Sequence, residues 1–185
     1  MRASHEHLNT PAVFCLATSR GRADCLLLEL KQAGFPADEI AVLFLDRTPA
    51  PTPERERRER AAYGAAAQSA GPIRGVLAGI KDVGRLVVPD GSAFIAAGAI
   101  MHALHETGGA TPGIAIAPAL TLLGLPPADA ARYERGIKAD GHFLVMVQAG
   151  DPAQLARARS IFAETNGQDI CACAGAASAP SPLAH

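Results

Sequence analysis

GPIRGVLAGIKDVGRLVVPDGSAFIAAGAIMHALHETGGATPGIAIAPALTLLGLP, residues 71–126, is the stretch whose reading decides the fold. It is apolar, rich in glycine and alanine, and almost free of aromatics. Gly71, Gly75 and Gly79 recur every fourth residue, and Gly84 follows them. On a helix that spacing puts the glycines on one face, where a neighbouring backbone can approach closely. Together with Gly98 they form the expected assembly face. A spanning helix needs about 20 consecutive apolar residues. Here Arg74, Lys81, Asp82, Arg85, Asp90, His102, His105 and Glu106 interrupt the run, and Pro89, Pro112 and Pro118 break it. The stretch is therefore expected to bury itself against protein, and membrane contact is disfavoured. Within it, residues 85–89 read as extended. Residues 92–106 read as an apolar helix, residues 108–109 as a break, and residues 111–123 as a second apolar helix that closes a hairpin.

Working outward, ordinary alternating segments flank the stretch. Pro11 introduces a short apolar strand over 12–17. Ser19 is placed to cap a helix over 20–33, whose apolar face is Ala23, Leu26, Leu27 and Leu30. Gly34 sits where a left-handed cap residue belongs, and Pro36 prevents continuation. Residues 39–45 are a second strand. The run ERERRER at 54–60 invites a nucleic-acid reading. Its signs alternate, however, and Glu54/Arg58 and Glu56/Arg60 are spaced to pair along a helix, so a solvated face explains it. On the far side, Ala130, Tyr133 and Ile137 line a helix with Asp129 in its first turn and Gly141 at its end. A strand follows over 142–148. Asp151 and Pro152 start a helix that turns Leu155, Ala158, Ile161 and Phe162 inward, and Gly167 stops it. Residues 169–174 are the last strand.

Taking out residues 47–141 leaves strand–helix–strand twice. The expected class is therefore α+β, a ferredoxin-like split βαβ sheet. Its core is 12–46 and 142–174. A large Gly/Ala-rich helical, glycine-zipper-like insertion, 47–141, lies between strands 2 and 3. Residues 1–11 and 175–185 are expected as flexible termini.

The chain resembles the bacterial general stress protein 17M-like, heat-induced-stress type of domain. The resemblance rests on the GF-P-x-D-E-I-A-V-L segment at 34–43, the Gly/Ala-rich middle, LGLPPADAARYERGIKADGHFLVMV at 123–147, and the closing helix with its Asp-Ile strand. It covers roughly residues 12–173. It implies a small α/β domain with a glycine-zipper insertion and a link to stress physiology, and it transfers no catalytic residue. Lys81, Asp82, His102, His105 and Glu106, charges and histidines inside the insertion, depart from the family's usual pattern, in which relatives are more purely apolar, and make a bilayer role less expected here.

Composition narrows the function. The 185 residues carry a net charge of -1 and no tryptophan. That gives neither electrostatic attraction to nucleic acid nor a base-stacking platform. No secretory leader is legible at the start, so a cytoplasmic compartment with reduced thiols is expected for the four cysteines. No phosphate-binding glycine loop and no nucleophile elbow appear. No cofactor is called for, and no enzyme activity is expected. His102, His105 and Glu106 are the best ligand cluster: the two imidazoles share a helix face, with His142 or a second subunit to supply a third ligand. The plain alternative is a histidine-bearing helix C-terminus. Cys171 and Cys173 face one side of a strand, and Cys15 on the neighbouring first strand would give a cluster of three thiols. Buried core thiols are the plain alternative. The expected function is a non-enzymatic stress protein that forms a homo-oligomer or docks to a partner through its insertion. A small-ligand or metal sensor using His102/His105 or Cys171/Cys173 is the alternative.

Overall fold

The computed structural model describes residues 10–46, 83–87, 93–107 and 116–173. Gly71, Gly75 and Gly79, the ERERRER helix, most of residues 1–11 and the tail 175–185 lie outside them. The first strand, β1 (Ala12–Ala17), is followed by helix α1 (Arg20–Gln32), a 3-10 turn (Ala37–Glu39) and β2 (Ile40–Asp46). Then come β3 (Gly84–Val87), β4 (Ala93–Ala97), α2 (Ala99–Thr107), α3 (Ile116–Leu122) and α4 (Pro127–Lys138). Finally β5 (Phe143–Gln148) leads to α5 (Pro152–Glu164) and β6 (Gln168–Cys173). The chain is α+β. The six strands among the described residues form one sheet in the order β3-β4-β2-β5-β1-β6. Every neighbouring pair is antiparallel.

Local chemistry sets the helix ends. Ser19 accepts a hydrogen bond from the Arg22 amide, and Asp151 accepts one from the Ala153 amide ahead of Pro152. Both satisfy amides that the helix itself leaves unpaired. Gly34, at φ +87°, ends α1 with paired amide bonds from Gly34 to the Lys31 carbonyl and from Phe35 to the Leu30 carbonyl. At the end of α5 the left-handed position falls to Asn166, φ 55°, rather than to Gly167. The two terminal bonds run from Asn166 to Ala163 and from Gly167 to Phe162. This is the same closing motif, moved one residue from where the glycine suggests it.

Alternation along each strand sorts the core into two layers. Ala12, Phe14, Leu16, Ala41, Leu43, Phe94, Leu144 and Met146 face α2, α3 and α4, meeting Ile100, Leu104, Ile116, Leu120, Tyr133 and Ile137. Val13, Cys15, Ala17, Ile40, Val42, Val145 and Val147 face α1 and α5, meeting Leu26, Leu27, Leu30, Ala158 and Phe162. Helices thus cover both faces of the sheet. Those on the first face come from the inserted stretch.

The insertion differs from expectation in kind. It is not purely helical: it contributes β3 and β4, which extend the sheet beyond β2. Residues 93–97, read from sequence as the start of a helix, are a strand, and the helix begins at Ala99. β4 has a neighbouring strand on each side and α2 on one face, and the short unbroken apolar run Ala-Phe-Ile-Ala-Ala has no period to tell it from a buried helix. Gly84 does not continue a helical glycine ladder. It opens β3, and a Cβ there would collide with the Met101 side chain of α2. Gly98 is likewise internal. It makes the β4–α2 turn at φ +69°, with room for a Cβ closed off by the Ile40 carbonyl oxygen at 2.7 Å. At both glycines the space a Cβ would take is filled by the chain's own atoms.

Candidate functional site

Chemistry-bearing side chains converge where α4 crosses the β1–β6 edge. β1 and β6 pair Ala12 with Cys173 and Phe14 with Cys171, but the next pair is Leu16 with Gln168. Between these pairs Cys15 of β1 opposes two residues of β6, Asp169 and Ile170, which is a bulge. Asp169, in the bulge, takes a left-handed φ of 51°, and its carbonyl accepts a hydrogen bond from the Tyr133 hydroxyl. The same hydroxyl lies 3.4 Å from the Phe14 carbonyl oxygen, and the Tyr133 ring meets Phe14 edge-on at 6.3 Å between centroids. Burial pushes the Tyr133 phenol above its usual range, and the nearby thiols of Cys171 and Cys15 and the Asp169 carboxylate push the same way. It is therefore a donor throughout the neutral range, which fixes α4 onto the edge.

One residue earlier, Arg132 bridges two carboxylates. Its Nη2 lies 2.8 Å from Asp129 Oδ1 and its Nε lies 3.3 Å from Asp169 Oδ1. Further along α4, Glu134 accepts a bond from the Ala117 amide at the start of α3 and pairs with Lys138. Beside the Arg132 cluster, on the face of β6 turned toward α4, the Cys171 and Cys173 sulfurs lie 3.8 Å apart. Cys173 is buried and Cys171 half-buried. The Cys173 thiol is pushed up to about 12 by burial, then by the charge and hydrogen bond of Cys171, then by the Asp129 carboxylate.

The predicted trio of thiols does not form. Phe14 and Ala12 are the residues opposite the cysteine pair, so Cys15 points to the other face, into the core with α1 and α5. Burial alone raises its thiol well above the usual range. His102, His105 and Glu106 lie exposed on α2. His142 does not join them. It sits half-buried before β5 beside Gly136, with its Nδ1 enclosed and lacking a hydrogen-bond partner. Among the described residues no group of three or more histidine, cysteine, aspartate or glutamate side chains is placed to hold a metal ion. On the opposite face of β6 an open groove of about 390 Å³ runs along α5, lined by Val13, Leu155, Ser160 and Ala172, with Arg159 its one charged side chain.

The cysteine pair was legible from strand period. The Asp129–Arg132–Asp169 chain was not. Its first half is an ordinary helical spacing of three, and its second half exists only because the bulge turns Asp169 toward α4. Set against family models, curated proteins and solved structures, the chain matches none. Among the described residues no helix is long and apolar enough to cross a membrane.

Proposed function

We propose that this chain is a non-enzymatic, stress-associated cytoplasmic protein that self-assembles, or docks to a partner, through its inserted stretch. Its sheet is read as a ferredoxin-like split βαβ core, β2-β5-β1-β6, extended by the β4–β3 hairpin. The support is that β5 lies between β1 and β2 while α1 and α5 cover one common face. The link to stress rests on the resemblance of residues 12–173 to heat-induced-stress domains.

The observation that carries the assembly reading is the outer edge of β3. Among the described residues this four-residue strand pairs with β4 alone, and Val83, just before it, is a large apolar residue left exposed, at 38%. An unpaired edge offers amides and carbonyls to a further strand, which is a common mode of self-association. The glycine ladder at Gly71, Gly75 and Gly79 precedes this edge in sequence and lies outside the described residues. Light scattering at micromolar concentration is expected to give a mass above that of one chain, and Val83→Lys to shift it toward the monomer. A strict monomer for the unaltered chain overturns the reading.

A further inference from the structure

We infer that Cys171 and Cys173 form a dithiol site for a sulfur-seeking centre, either trivalent arsenic or a soft metal cation. The inference is independent of assembly, since β6 is the sheet edge opposite β3.

Three observations support it. The sulfurs are 3.8 Å apart on one face of one strand. Two thiolates at about 2.3 Å from a tetrahedral metal are separated by about 3.8 Å, so a bridging atom fits with no backbone movement. Direct oxidation fits less well. Residues two apart on a strand have Cα atoms about 6.6–6.8 Å apart, at the upper limit of what a disulfide spans. The second observation is access. Among the described residues β6 has no strand on its outer side, and Cys171 is only half-buried. The third is support around the pair. Ala12, opposite Cys173, is a small residue, while Tyr133 and the Asp129–Arg132–Asp169 chain hold β6 in its bulged path. The remaining thiols lack this arrangement: Cys15 is buried on the other face and Cys25 is exposed on α1.

With an aryl arsenoxide the step is a condensation. Two As–S bonds form, the As=O bond breaks, and both thiol protons leave on the oxygen as water. Arsenic stays trivalent and no electrons are transferred, so the step needs no oxidant. With a metal cation the same two protons are released to solvent as the thiolates bind.

The test treats the folded full-length chain with phenylarsine oxide in one arm and with Cd2+ in another, then washes with excess monothiol. Intact-mass and metal analysis read what remains. A monothiol strips an arsenical held by one sulfur and leaves one held by two. The expected result is about one equivalent retained by the unaltered chain in at least one arm. It should also be retained by Cys25→Ser and lost from Cys171→Ser and from Cys173→Ser. The arms tell the arsenical source from the metal source. Because Cys173 is buried, Cys171→Ser, checked for an unchanged circular dichroism spectrum, carries the comparison if Cys173→Ser unfolds. Retention by the unaltered chain in neither arm overturns the inference, as does retention that survives Cys171→Ser.

Discussion

Glu39 ends the 3-10 turn that delivers the chain into β2, and one of its carboxylate oxygens is enclosed with no hydrogen-bond partner. Burial, with the charge of Asp38 beside it, raises its pKa above the ordinary 4.5. An acid whose folded-state pKa is raised holds its proton more tightly folded than unfolded. Stability is then highest below 4.5 and falls as pH climbs through the folded-state value, because the carboxylate must ionise where it is poorly solvated. Glu39→Gln keeps the shape and removes that charge. The substitution is expected to raise the melting temperature at pH 7 and to lose its advantage as pH falls below 4.5, read by paired thermal melts across that range. An equal gain at every pH would assign the effect to packing instead. Tyr133 is the contrasting case. It too is buried, but its hydroxyl has the Asp169 carbonyl, so burial there serves as a clamp.

Gly98 shows how a single turn decides what an element becomes. Residues 93–97 and 99–107 are both apolar and rich in alanine, and a left-handed glycine at φ +69° separates strand from helix. A residue with a Cβ at Gly98 would be strained in φ and would press on the Ile40 carbonyl oxygen. Gly98→Ala is expected to cost about 1–3 kcal/mol. At about 2–4 °C per kcal/mol for a chain of this size, that is a fall of several degrees in the melt. A change in oligomer mass with an unmoved melt would return Gly98 to an outward assembly role. The same comparison explains what was legible at this scale. Ser19 and Asp151 act on amides two or three residues away, so their caps could be read from local sequence. The inward faces of α1 and α4 followed from helical period, and the shared face of Cys171 and Cys173 from strand period. What failed was whatever depended on partners distant in sequence. Residues 93–97 become a strand because β2 and β3 flank them. Asp169 turns toward Arg132 because β1 and β6 pair out of step by one residue. Cys15 leaves the thiol pair because the register sets Phe14 opposite Cys171.

Across the whole molecule, one sheet serves two cores, and each core depends on the other through the strands they share. Phe14 and Cys15 are adjacent in β1 yet belong to opposite layers, as do Leu144 and Val145 in β5. Losing either layer of helices would expose one face of β1, β2 and β5. The inserted helices should therefore unfold with the rest and not as a detachable appendage. Ile100 on α2 and Leu27 on α1 are both fully enclosed, on opposite sides of the sheet. Truncating a buried aliphatic side chain to alanine costs about 2–5 kcal/mol through lost burial and the cavity left behind. Ile100→Ala and Leu27→Ala should each lower the midpoint of a single denaturant transition by a comparable amount. Read in a Tyr63→Phe background, so that Tyr133 is the sole tyrosine emitter, tyrosine emission reports on the inserted layer, and far-ultraviolet circular dichroism reports on the chain as a whole. With Leu27→Ala, a change on the far face, the two signals should still move together. If the tyrosine transition stays in place while the circular dichroism midpoint falls, the inserted layer is a separate unit resting on the sheet, and the two cores are not coupled.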